Sequence, residues 1–140
     1  MPSLPDLLRA MLDQGGSDLH LTVGVPPMLR LHGRLIPLPG EPLTPAVTKE
    51  MAYTILTEQQ KQKFEEAREL DLAFGLKGVG RFRANVFQQR GAVAVAIRVI
   101  PTLIPTFDAL GLPKVMADLC ERPRGLVLVT GPTGSGKSTT

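Results

Sequence analysis

At 140 residues the chain is long enough for one ordinary domain and short for two. Hydrophobic residues at 43% and charged residues at 21% are close to globular averages, and 14 Gly with 13 Pro stay below the range of disordered chains, so the sequence reads as folded and rich in turns. A net charge of only +3, with Lys and Arg dispersed, aromatics at 4% and no Trp, excludes a basic tract or a base-stacking platform and argues against nucleic acid as a partner.

The N-terminus, Met1 to Asp6, has neither a basic start nor an apolar signal core. No run approaches the roughly 18 apolar residues that a membrane span requires, so cytoplasmic location without direct membrane insertion is the expectation. Residues 6 to 14 place Leu7, Leu8, Met11 and Leu12 on one helical face, and Gly15-Gly16 ends that helix. From Ser17 to Val23, Leu19, Leu21 and Val23 alternate with Asp18, His20 and Thr22 as in a half-buried strand, stopped by Pro26 and Pro27. Two short apolar runs, Met28 to Leu31 and Leu35 to Leu38, flank His32-Gly33-Arg34 and predict a hairpin.

Gly40 to Pro45 is a proline-bearing loop, and Thr44 with Pro45 supplies an N-cap and a first-turn proline for a helix burying Val47, Met51 and Ile55. Thr57 caps a second helix, Glu58 to about Arg68, with a heavily charged surface. A strand over Asp71 to Leu76, a turn at Lys77 to Gly80, and two strands over Arg81 to Phe87 and Ala92 to Val99 complete an antiparallel sheet with helices on one side, an α+β fold. Ile100 to Pro105, with two prolines, is a stiff connector at which a domain boundary is expected.

A helical segment is expected around Pro113 to Cys120. Cys120 is the only cysteine, which excludes an intrachain disulfide and a Cys-cluster metal site, fits a reducing compartment, and suggests a buried small apolar residue. Gly125 to Val129 is a continuous apolar run, as expected of a strand covered on both faces in a parallel sheet. No internal repeat is present.

The residues that follow satisfy G-x-x-x-x-G-K-[ST]: Gly131, Pro132, Thr133, Gly134, Ser135, Gly136, Lys137 and Ser138. Glycine is needed where the loop turns sharply with its backbone N–H groups converging on phosphate oxygens. Lys137 would reach the β and γ phosphates, the Ser138 hydroxyl would meet Mg²⁺, and a helix opening with Thr139 and Thr140 would aim its positive end at the anion. The ligand this implies is ATP with Mg²⁺. No catalytic residue is assigned, because hydrolysis also needs a second-strand carboxylate and a group to orient water, so the chain alone is not expected to turn over ATP and should bind nucleotide weakly or not at all.

Alternation along Arg81 to Phe87 puts Arg81, Arg83 and Asn85 on one face and Phe82, Ala84 and Val86 on the other. Keeping Val93, Val95, Ile97 and Val99 on the apolar side requires a register in which Arg98 lies opposite Arg81 or Arg83. Opposed cations cost a few tenths of a kcal/mol or more, roughly, unless an anion or carboxylate lies between them. A phosphate is one candidate; the other reading is that the arginines are solvated or paired with acids such as Asp71 or Glu69. His20, on the polar face near Asp18, and His32, beside a turn, lack the further ligands of a zinc site and read as solvated or locally hydrogen-bonded. Glu65, Glu66 and Asp71 read as a solvated face.

Gly125 to Thr140, Gly80 to Phe87, Ser17 to Leu21, Val25 to Arg30 and the Gly33 turn together resemble the type II/IV secretion ATPase superfamily, within it the type IV pilus retraction ATPases, over about Leu7 to Thr140. The resemblance implies a PAS-like N-terminal domain over 1–100, a linker over 101–112, and over 113–140 the first strand and P-loop of a RecA-like α/β domain, truncated after that loop. It implies a homo-hexameric motor at the pilus base, peripheral to the inner membrane, working on a platform protein to retract pili in twitching motility. It also implies that Arg81, Arg83 and Arg98 reach the nucleotide phosphates when the domains close, and that the acidic and His-containing catalytic motifs lie beyond Thr140. Other readings are a non-catalytic oligomerisation or regulatory module, and a pilus-extension or type II secretion ATPase; the early start of the PAS-like region favours retraction.

Overall fold

The computed structural model describes residues 2–132 and 135–140. Its first helix, α1 (Leu4–Asp13), begins two residues before the periodic stretch because Ser3 caps it. The Ser3 side chain accepts from the Asp6 N–H while the Asp6 carboxylate accepts from the Ser3 N–H, a reciprocal box that satisfies two end donors. Gly15 (φ +70°) and Gly16 close the helix as expected, and the Gly16 N–H donates to Met11 O at 2.8 Å. A Cβ on Gly16 would meet Met11 Cγ at 3.0 Å and Met11 O at 3.2 Å, so this tight entry into the sheet leaves little room for a side chain.

Six strands follow: β1 (Asp18–Leu21), β2 (Met28–Leu31), β3 (Arg34–Pro37), β4 (Glu69–Leu76), β5 (Gly80–Gln89) and β6 (Ala92–Ile100). They form one antiparallel sheet in the order β3-β2-β1-β6-β5-β4, so that β1 joins the two hairpin-built halves through β6. His32-Gly33 and Arg90-Gly91 connect β2 to β3 and β5 to β6 as two-residue turns, each with positive φ at both residues, the twist that suits a tight hairpin. The first of these was legible in the sequence; the second, built on Arg-Gly, was not.

Helices α2 (Pro45–Tyr53) and α3 (Glu58–Ala67) start where expected, with the side chains of Thr44 and Thr57 accepting from the N–H groups of Val47 and Gln60. Arg68 takes a left-handed conformation (φ +62°) to end α3, which allows β4 to begin at Glu69, two residues ahead of the expected start. One face of the sheet contributes Leu19, Leu21, Leu29, Phe82, Ala84, Val86, Val95 and Ile97 to a core shared with Leu4, Leu7, Leu8 and Met11 of α1, Met51 and Ala52 of α2, and Phe64 of α3. The helices cover that face, and the opposite face carries the arginines. The fold is α+β, an antiparallel sheet with helices.

The chain divides into two compact units, residues 1–102 and 103–140. In the second, α4 (Val115–Cys120) lies within the expected helical segment. Two expectations for this unit fail. Gly125 to Val129 forms no strand, since no strand pairs with it among the described residues, and Leu126 and Leu128 stay 83% and 74% exposed. Cys120 is exposed rather than buried, on a six-residue helix with no buried side chain among the described residues.

Candidate functional site

Within residues 103–140 the loop expected to hold phosphate is described except for Thr133 and Gly134, which lie outside the described residues. The Ser135 N–H and hydroxyl both donate to Pro132 O, at 3.2 and 2.7 Å. A Cβ on Gly131 would lie 2.6 Å from that same Ser135 Oγ, so a side chain there would require the hydroxyl to rotate off Pro132 O. Gly136 (φ +92°) then opens one helical turn, its carbonyl accepting from the N–H groups of Thr139 and Thr140 at 2.9 and 3.0 Å. Lys137 and Ser138 are exposed on that turn. Glycine geometry, a lysine and a hydroxyl at the start of a helical turn fit a triphosphate with Mg²⁺, and Ser138 is the residue that would meet the metal. Bound there, Mg²⁺ would neutralise phosphate charge. Among the described residues no group of three or more His, Cys, Asp or Glu is arranged to hold a metal ion.

Within residues 1–102 the register places Arg83 of β5 directly opposite Arg98 of β6, one of the two pairings expected, while Arg81 faces Ile100. Arg83, Arg98, Asp18, Asp71, Asn85 and Ala96 line a depression of 190 Å³ on the polar face of the sheet. Arg81, two residues along β5 on the same face, has no ion-pair partner among the described residues.

Carboxylates make the juxtaposition of Arg83 and Arg98 tolerable. Arg83 Nη2 lies 3.8 Å from Asp71 Oδ2, a loose contact between two largely exposed groups. Arg98 Nε donates to Asp18 Oδ1 at 2.7 Å, and Arg30 Nε lies 3.4 Å from Asp18 Oδ2. Glu69, an alternative acid, instead accepts from Asn85. Burial pushes the Asp18 carboxyl up, but the Ser17 hydroxyl and the Arg98 guanidinium outweigh this and hold it below its ordinary range. Asp18 is 5% exposed, and the sequence reading missed it. Its partner lies 80 residues away, and the contact exists only because β1 pairs with β6.

His20 departs from expectation. Its Nε2 is buried and has no hydrogen-bond partner among the described residues. Burial and the Arg30 charge hold its pKa below the ordinary value, with Asp18 opposing and Arg98 adding.

Residues 56–140 match the family described as Type II/IV secretion system protein. The chain belongs to that family. Members similar to it include the type IV pilus ATPase PilU of Pseudomonas aeruginosa, 44% identical over 95% of this chain and 35% of the relative. The type IV pilus retraction ATPase PilT of the same organism is 45% identical over 98% of this chain and 40% of the relative. The crystal structure of the pilus retraction motor PilT with bound ADP superimposes with a TM-score of 0.88 at 49% identity, covering 99% of this chain and 41% of that one. The ATPase DotB of Legionella pneumophila superimposes with a TM-score of 0.79 at 25% identity, covering 96% of this chain and 38% of the other. The chain thus spans about two fifths of the length of these type II/IV secretion relatives, and within the family it is PilT-like. No helix among the described residues is long and apolar enough to cross a membrane.

Proposed function

We propose that this chain is the N-terminal part of an ATP-driven motor that retracts type IV pili. The observation that carries the reading is the loop from Gly131 to Ser138, a phosphate-binding pattern in a member of the type II/IV secretion family. In this reading residues 1–100 are a PAS-like domain, 101–112 a linker, and 113–140 the opening of a RecA-like ATPase domain. The loop residues Gly131 to Thr139, including Thr133 and Gly134, bind ATP, and Ser138 meets Mg²⁺. Arg81, Arg83 and Arg98 bring guanidinium forks to the phosphates when the domains close, a geometry that suits bidentate phosphate recognition. The complete protein works as a homo-hexamer on the cytoplasmic side of the inner membrane, against a platform protein at the pilus base. Identity of 44–45% to pilus ATPases, against 27% to the type II secretion ATPase E of Vibrio cholerae, supports pilus work over secretion.

Titration with fluorescent ATP and Mg²⁺ tests this. The comparison sets the 140-residue chain beside a version carried through the length of its relatives, each with and without Lys137→Ala. Binding by the longer protein that Lys137→Ala abolishes supports the motor. A longer protein that binds nothing overturns the phosphate-loop assignment and leaves an oligomerisation or regulatory module.

A further inference from the structure

Asp18 is almost fully enclosed, and its two oxygens take different polar partners. Oδ1 accepts from Arg98 Nε at 2.7 Å. Oδ2 accepts from the Ser17 hydroxyl at 2.7 Å and lies 3.4 Å from Arg30 Nε. Arg30 is itself tied down, its Nη1 donating to Gly33 O at 3.1 Å in the β2–β3 turn. A chain of contacts thus runs from the hairpin turn through Arg30 and Asp18 to Arg98, across three neighbouring strands.

The edge of Arg98 that Asp18 takes is Nε, and no hydrogen bond to its two Nη groups is recorded among the described residues. The Arg98 side chain is 71% exposed, so its outer fork faces the depression that it shares with Arg83. A guanidinium held by Nε has its plane fixed and its Nη pair free, the arrangement that a two-point contact with an anion requires.

We propose that Asp18 is a positioning residue: it clamps Arg98 through Nε so that the Nη fork, beside Arg83, is set to receive a nucleotide phosphate. The inference rests on the phosphate reading of the arginines given above. A carboxylate this close to Arg98 has two opposing effects on an incoming anion. As a charge it repels phosphate, so its removal would raise affinity. As a clamp it spares the ligand the entropy of ordering a long side chain, so its removal lowers affinity. The enclosure of Asp18 and its hold on Nε favour the clamp, and the sign of the effect decides between them.

Asp18→Asn preserves shape and removes the charge. In the 140-residue chain, the Arg98 Nε–H resonance in a ¹⁵N correlation spectrum is expected to be sharp and slow to exchange, and to broaden away in Asp18→Asn. In the protein carried through the length of its relatives, Asp18→Asn is expected to weaken binding of fluorescent ATP with Mg²⁺ by three- to tenfold. Arg98→Ala weakens it at least as much, and the double variant no further. Arg30→Gln, which spares the Asp18–Arg98 pair and loosens its outer support, gives a smaller loss and keeps the test open should Asp18→Asn fail to fold. Unchanged or tighter binding by Asp18→Asn or Arg30→Gln, with Arg98→Ala still impaired, overturns the clamp while leaving the phosphate reading intact. If Arg98→Ala binds as well as the parent, the phosphate reading of Arg98 itself has failed, and the positioning role goes with it.

Discussion

Phe82 of β5 and Leu128, just ahead of the phosphate loop, are both large apolar side chains in apolar stretches, and their surroundings differ completely. Phe82 is fully buried, stacked on Phe74 with ring centroids 5.4 Å apart, while Leu128 is 74% exposed along with its neighbours. Among the described residues, 1–102 supply three helices and six strands that close around one core, whereas 103–140 supply one short helix and an exposed apolar run. Hydrophobic pattern alone does not make a strand: a ladder needs a partner, and its side chains need a second layer. The stability of this chain therefore resides in residues 1–102.

The largest expected effect follows directly. Phe82→Ala should cost about 3–5 kcal/mol, the usual toll of an aromatic cavity in a packed core, read as a lower urea midpoint for the whole chain. A cost below about 1 kcal/mol would mean that the sheet and helices are not sharing one core.

The next effect sharpens the contrast between the two faces of the sheet. Asp18→Ala leaves Arg30 and Arg98 without their carboxylate and Arg98 facing Arg83, and should destabilise the chain by about 1–3 kcal/mol. The pH dependence has a definite sign. The Asp18 carboxyl is held below its ordinary value of 3.8, so its stabilisation is present above that value and is lost as pH falls through the lower folded value. Asp18→Ala should remove that part of the acid lability, measured as unfolding midpoint against pH.

Much of residues 1–102 was legible because its signals are local. Thr44-Pro45 and Thr57 announce helix starts, Gly15-Gly16 a stop, and alternation through Arg81 to Phe87 separates charged from apolar faces. Keeping apolar with apolar on adjacent strands narrowed the partner of Arg98 to Arg81 or Arg83, and the structure selects Arg83. Asp18 was invisible as a site residue, because pattern alone does not join the first strand to the last across 80 intervening positions. The buried His20 Nε2 belongs to the same class, enclosed on the polar face by a sheet order that no local signal encodes. For Gly125 to Val129 the local signal was strong and the tertiary partner missing, so propensity had nothing to act on.

His20 supplies a smaller effect with the same logic. Burial holds its pKa below the ordinary 6.5, so the folded state resists the proton that the unfolded chain accepts. Stability should hold above 6.5 and decline as pH falls from there toward the lower folded value. His20→Phe keeps a ring while removing the orphaned Nε2, and should be close to neutral at pH 8 while flattening that decline. A slope unchanged by the substitution would place the titrating group elsewhere on the sheet.

The smallest effect carries the comparison furthest. Leu128→Ser should change the stability of the 140-residue chain by no more than about 0.5 kcal/mol, because the side chain it removes already lies in water. In a protein carried through the length of its relatives, the RecA-like reading of residues 113–140 predicts that 125–129 pair as a strand inside a parallel sheet. The same substitution should there cost about 2–5 kcal/mol, the range for truncating a buried leucine. A near-zero cost in both lengths would show that the run before the phosphate loop stays exposed, and that the loop is not mounted on a sheet. A large cost in the 140-residue chain would show that Leu128 is covered in solution and that the two regions are less different than their exposures indicate.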